Sequence, residues 1–170
     1  MKLLTIDIID SQKLLDRFGG DIKYKRQIIA TLKSICKQIL DDADIRFGYL
    51  NIAIVDGTTM RKYNVEFLGH DYVTDVISFP VDYKEENYKN GQTKKYIEGD
   101  ILVCADMAFE RASEFNWSPL EELFLYTIHG TLHLAGYDDK NKNAKKRMKK
   151  KETEYINITK NRADNLFQIQ

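Results

Sequence analysis

Apolar residues near the N-terminus alternate with polar ones. Leu4, Ile6 and Ile8 stand against Thr5 and Asp7, a period of two that predicts a half-buried strand over Lys2 to Ile9. Phe18-Gly19-Gly20 breaks the run. From Asp21 the period changes: Ile28, Ile29, Leu32, Ile35, Cys36, Ile39 and Leu40 fall at helical spacing, which predicts an amphipathic helix from about Ile22 to Leu40. Leu50, Ile52 and Ile54 alternate again. Val55-Asp56-Gly57 then supplies a strand end, a cap and a turn before a short helix around Thr58 to Asn64. Val73 to Phe79, rich in β-branched and aromatic residues, is expected to be a strand that stops at Pro80, and Asp100 to Cys104 a second short strand. The polar stretch between them, Tyr83 to Glu98, contains Asn90-Gly91 and is expected to be an exposed hairpin or loop.

Ala105 to Phe115 reads as a helix. Ser118-Pro119-Leu120-Glu121 follows with an N-cap, a proline at the first helical position and a capping-box glutamate. Leu120, Leu123, Phe124, Thr127, Ile128, Thr131 and Ala135 carry this best-marked helix to Gly136, a left-handed stop. A basic stretch, Lys140 to Lys151, comes next, and residues 158–170 read as a polar tail.

With 170 residues, the chain is the size of one domain. Hydrophobic residues at 43% provide a core, which excludes global disorder. Lys plus Arg (26) balance Asp plus Glu (26), so any attraction to nucleic acid must be local. Cys36 and Cys104 are too far apart, and too few, for a disulfide framework or a thiolate zinc site. No window approaches the ~20 apolar residues of a membrane span. Cytoplasmic residence, with no membrane partner, is the default expectation.

The chain has three histidines, and two of them, His129 and His133, lie four residues apart near the end of the best-marked helix. That spacing stacks both imidazoles on one helical face, where they can share a metal. Gly136 then turns the chain so that Asp138 or Asp139 can return toward that face. Two histidines and a carboxylate leave a fourth position open, the arrangement of catalytic rather than structural zinc. The plainer reading is a pair of satisfied core or surface histidines. Gly130, a poor helix former in mid-helix, and the carboxylates after Gly136 favour the metal. Gly130 also occupies the place where an H-E-x-x-H peptidase carries its general base, which argues against proteolysis.

His129-Gly130-Thr131-Leu132-His133-Leu134-Ala135-Gly136-Tyr137-Asp138-Asp139 resembles the signature H-G-x-L-H-L-x-G-Y-D-H of the YbeY family of rRNA-maturation endoribonucleases, matching every fixed position but the last. Thr74-Asp75-Val76-Ile77-Ser78-Phe79-Pro80 resembles the family's T-D-V-L-S-F-P strand, and Gly99-Asp100-Ile101 its G-D-I opening, in the same order. The resemblance spans about Leu50 to Met148. It implies His129, His133 and Asp139 as metal ligands, with Asp139 in place of the usual third histidine. Metal preference is therefore expected to differ. Leu68 stands where the family tends to carry an arginine; Arg61 or His70 is a substitute for that charge or an ordinary surface residue.

Eight of the twelve residues from Lys140 to Lys151 are Lys or Arg. They form either a solvated helix face or a phosphate-backbone contact; the resemblance favours RNA, with Lys145, Lys146, Arg147 and Lys149 as candidates. Aromatics such as Trp117, Tyr72 and Tyr137 are candidates for stacking on bases, and most aromatics are core. Asp75 is a candidate acceptor behind a ligand histidine, or a strand-end cap; capping is the favoured reading for Asp100. Ser78 has no histidine relay to activate it and is not expected to be a nucleophile.

The expectation is an α/β (α+β) protein with a single domain over 1–170: a small mixed β-sheet packed with helices, and a zincin-like metal-binding helix. By resemblance it is a zinc-dependent endoribonuclease of single-stranded RNA, with one zinc ion per chain. It would act in 16S rRNA 3′-end maturation and ribosome quality control, with rRNA and the small ribosomal subunit as partners. Asp138 or Tyr137 is assigned proton transfer, while the nucleophile, water or the RNA 2′-hydroxyl, stays open. The alternatives are a ribosome-associated binding module with a structural or lost metal, and a metallohydrolase of small phosphoesters.

Overall fold

The computed structural model describes residues 2–9, 17–87, 93–115 and 117–167. Its strands are β1 (Thr5–Ile9), β2 (Ile45–Val55), β3 (Val76–Asn87) and β4 (Thr93–Cys104). They form one mixed sheet in the order β1-β2-β4-β3, parallel except for β3, which runs antiparallel to β4 at the edge. The crossover from β1 to β2 is α1 (Ile22–Asp42), capped by the Asp21 carboxylate, which accepts from the Tyr24 N–H at 2.8 Å. Its buried stripe follows the one read from the periodicity, Ile28, Leu32, Ile35, Cys36, Ile39 and Leu40, with Ile29 only partly buried and Lys25 buried beside it.

After β2, α2 (Gly57–Tyr63) runs into a single π turn, Asn64–Leu68. The strand expected to stop at Pro80 instead continues to Asn87. A proline is tolerated because β3 is the edge strand, and the pairing slips between Pro80 and Asp82 as a bulge. The stretch expected as a hairpin or loop takes the first form over its described residues, antiparallel strand pairs from Tyr83 opposite Ile97 to Asn87 opposite Thr93. Its side chains from Lys84 to Asn87 are exposed, so no apolar alternation marks it. Asn90-Gly91 lies outside the described residues.

The remaining elements are α3 (Ala105–Phe115), α4 (Pro119–Leu134), α5 (Lys142–Arg162) and α6 (Asp164–Phe167). The expected polar tail is helical over 158–162 and 164–167, with Thr159, Ala163 and Leu166 buried; residues 168–170 lie outside the described ones. About one apolar residue per turn suffices to dock it, too sparse a pattern to register as a helix face.

Helix α4 is the hub. Leu120, Leu123, Phe124, Ile128 and Leu132 are buried, and the helix packs against α1, α3, α5, β3 and β4. A helix enclosed this way is held in position by many partners, each buried large side chain contributing ~1.5–3 kcal/mol. A smaller cluster, Val55, Met60, Ile77, Leu102 and Cys104, fills part of the opposite sheet face under α2. Among the described residues, no helix is long and apolar enough to cross a membrane.

Candidate metal centre

The histidine helix is built to a fixed position at both ends. At its start, Ser118 Oγ accepts from the Glu121 N–H at 3.2 Å, while a Glu121 carboxylate oxygen accepts from the Ser118 N–H at 2.6 Å. At its end, the Gly136 N–H reaches the His133 carbonyl and the Tyr137 N–H the Leu132 carbonyl, both at 3.0 Å, a Schellman closure. It needs the left-handed φ of +93° that Gly136 supplies. Gly130 has a packing reason to be in mid-helix. A Cβ there would stand 2.8 Å from Ser78 Oγ, 2.9 Å from Ile101 Cγ2 and 3.0 Å from Val76 Cγ2, so only glycine lets the helix lie this close to β3 and β4. Ser78 Oγ donates to the Gly130 carbonyl at 3.2 Å, a structural use in keeping with its rejection as a nucleophile.

Both imidazoles have a fixed tautomer. His129 Nδ1 is 2.6 Å from Glu152 Oε1, and His133 Nδ1 is 3.1 Å from the Tyr137 carbonyl oxygen. An ionised carboxylate and a carbonyl only accept, so each Nδ1 carries the proton and donates it. Each Nε2 then presents a lone pair, and the two Nε2 atoms face each other at 3.0 Å. Two facing lone pairs repel unless a cation joins them. Nitrogens ~2.0–2.1 Å from one tetrahedral ion would stand ~3.3 Å apart, close to what is seen. Asp139 completes the set: one ligand atom from each of His129, His133 and Asp139 lies within 4.8 Å of the others, with Asp139 Oδ1 4.0 Å from His133 Nε2. The residues present therefore fit a divalent metal. Burial would depress the His129 imidazole, but the hydrogen bond and charge of Glu152, with Asp75 and Asp139, outweigh it and hold the group above its ordinary value. The site attracts positive charge.

Asp138 supports its neighbour. Its Oδ1 accepts from the backbone N–H of Asp139 at 2.8 Å and of Lys140 at 3.2 Å, which shapes the turn carrying Asp139. Tyr137, Asp138 and Asp75 line the cavity around the two histidines. The Asp75 Oδ1 accepts locally, from Thr74 Oγ1 at 3.0 Å and the Val76 N–H at 2.8 Å. The carboxylate bonded to His129 is instead Glu152, which sequence reasoning missed. It sits 23 residues downstream, and its place as the first acid after the basic run was the available signal. Asp100 is no strand-end cap: it lies within β4 and accepts from Asn51 Nδ2 at 2.9 Å on the polar sheet face.

Lys145, Lys146, Arg147 and Lys149 are exposed on α5. Helical spacing groups Lys145 and Lys149 on the side of Glu152 and sends Arg147 to the far side. Leu68 is half exposed in the π turn. Arg61 forks onto Asp71 at 2.7 and 2.9 Å, and His70 stacks on Tyr72. Neither lines the histidine cavity.

Comparison with known proteins agrees with this geometry. Residues 18–160 match the family described as Endoribonuclease YbeY. The Endoribonuclease YbeY of Elusimicrobium minutum is 44% identical over 136 residues, covering 80% of this chain and 86% of that protein. That of Salinibacter ruber is 35% identical over 127 residues, covering 75% and 80%. The Macrococcus caseolyticus protein is 31% identical over 157 residues, covering 91% and 95%. The solution structure of TM1509 from Thermotoga maritima superposes with a TM-score of 0.57 at 28% identity, covering 95% of this chain and 92% of that one. With the family match spanning most of its length and relatives of this name up to 44% identical, the chain belongs to the YbeY endoribonuclease family.

Proposed function

We propose that this protein is a zinc-dependent endoribonuclease that cuts single-stranded RNA in the maturation of ribosomal RNA, in the cytoplasm and on the small ribosomal subunit. The observation that carries the metal is the facing pair of Nε2 lone pairs at 3.0 Å beside the Asp139 carboxylate. The RNA substrate rests on the family. His129, His133 and Asp139 are the ligands, and one ion per chain, when bound, would supply positive charge against the negative charge that develops on the scissile phosphate. Glu152 and the Tyr137 carbonyl hold the two imidazoles in the tautomer that presents Nε2. Asp138 anchors the turn through Oδ1, and we assign proton transfer to its other oxygen or to Tyr137. Lys145 and Lys149 would track the RNA backbone toward the site, with Lys146 and Arg147 adding longer-range attraction. Asp75 shapes the cavity wall. Family membership and the convergent ligand set support this reading over a binding module or a small-phosphoester hydrolase.

The test is cleavage of a single-stranded RNA by the full chain, with metal content measured in parallel. About one zinc per chain is expected, with activity abolished by a chelator, restored by zinc and lost in His133→Ala. Protein that neither contains zinc nor takes it up would overturn the reading.

A further inference from the structure

Next to the histidine cavity lies a second, larger one of about 740 Å³, within the range of small-molecule sites. The two share a wall. Asp75 lines both, and Glu152, which holds His129, lines the larger. This cavity is not a simple apolar gap. Trp117 and Tyr126 contribute aromatic surface, and Tyr72 adds a ring backed by His70, stacked at 5.5 Å between centroids. Arg111, Lys149 and Lys160 bring positive charge to it. Among these groups sits Glu122, a lining carboxylate only 4% exposed. Burial raises its carboxyl above the ordinary range; Tyr126 and Arg111 pull the other way, and Asp75 and Glu121 push it further up. Its protein partner is the Tyr126 hydroxyl, and one hydroxyl leaves a carboxylate with further acceptor positions facing the cavity it lines.

We propose that this cavity is a base pocket: it takes one unpaired, amino-bearing nucleobase of the RNA strand whose phosphate lies at the histidine site, and Glu122 reads that amino group. The inference rests on the RNA-cleaving reading above. Aromatic walls suit a π face of any base. Acceptor-only carboxylates select among bases, because adenine, cytosine and guanine offer an exocyclic amine. Uracil offers a single N3–H donor flanked by two carbonyl oxygens, which would be pressed against Glu122 and Asp75. Lys149 stands on the same α5 ridge as Glu152, so a phosphate beside the bound base meets a cation between the two cavities.

Trp117 is the only tryptophan in the chain, so its indole N–H gives one resonance that reports on the pocket wall, whether or not RNA is cleaved. The full-length ¹⁵N-labelled protein is titrated with the four nucleoside 5′-monophosphates and with ribose 5-phosphate. The adenine, cytosine and guanine nucleotides are expected to shift the indole resonance saturably, with the uracil nucleotide weaker by ~10-fold or more, as for a polar site that rejects a mismatched partner. Ribose 5-phosphate should leave the resonance unmoved. Glu122→Gln, near-isosteric and offering a donor as well as an acceptor, should abolish the discrimination while keeping the same circular dichroism. Tyr72→Ala, on the exposed rim, should weaken all four nucleotides alike. Equal midpoints for the four nucleotides, no response to any, a response to ribose 5-phosphate as large as theirs, or discrimination intact in Glu122→Gln would each overturn the pocket. None of these results bears on whether the protein cuts RNA, which the cleavage assay reads separately.

Discussion

The two ends of α4 are built from similar local devices and do opposite work. At the N-terminal end the capping groups are matched: Ser118 and Glu121 exchange backbone bonds, and Lys160 pairs with the Glu121 carboxylate. At the C-terminal end the Schellman closure satisfies the backbone just as fully, but the side chains are left in conflict, with two Nε2 lone pairs aimed at each other. The first arrangement stabilises the helix with nothing added. The second is satisfied only when a cation, a metal ion or a proton, lies between the two nitrogens. A functional site can therefore be recognised by polar groups that are held too firmly to find partners of their own.

The largest expected effect breaks the conflict itself. His133→Ala should lower zinc affinity by more than the 10–100-fold typical of losing a partner that merely orients a ligand, with cleavage abolished and the fold intact. Metal titration and circular dichroism on the same sample check both halves; retained stoichiometric zinc would remove His133 from the ligand set. Glu152→Gln should cost about 10–100-fold in zinc affinity, because a Gln amide oxygen still accepts from Nδ1–H but without charge. A loss confined to stability would instead make Glu152 a packing residue.

Next in size is Gly130→Ala. The added methyl meets Ser78, Ile101 and Val76 at 2.8–3.0 Å and should cost ~1–3 kcal/mol in chemical denaturation, pushing the histidine end off the sheet. Ser118→Ala tests the other end. It should cost ~1 kcal/mol of stability with zinc affinity unchanged, and a matching loss of zinc would show that the two ends are not separable. The smallest effect concerns Glu122, one turn into the helix. Its carboxyl is raised in the folded state, so the folded protein holds that proton more tightly than the unfolded chain, and stability from this group falls as pH rises through its folded value. Glu122→Gln should therefore be more stable than the parent at neutral pH, and the advantage should vanish below the ordinary carboxyl range. Thermal melts across pH read it directly.

Much of this was legible in the chain because it depends on neighbours in sequence. The α1 stripe, the Ser118 cap, the Gly136 stop and the His129–His133 spacing are each set within one or two helical turns, where backbone geometry alone decides what meets what. The third candidate ligand, Asp139, was within reach for the same reason, six residues beyond His133. An exposed hairpin or loop was expected between β3 and β4, but the length of the ribbon was not, since its ladder is made by backbone groups beneath exposed polar side chains. Nor was the final helix, whose few buried residues acquire meaning only from the core they dock against. Glu152 shows the limit most plainly. In sequence it is the first acid after a basic run, and only the packing of α5 against α4 brings its carboxylate within 2.6 Å of His129. The sequence by itself determined the candidate ligands and the helix that bears the two histidines. Tertiary structure alone decided which way His129 points, because Glu152 is brought to its Nδ1 only when α5 packs against α4, whereas the Tyr137 carbonyl that turns His133 lies four residues on and is placed by the local Gly136 closure.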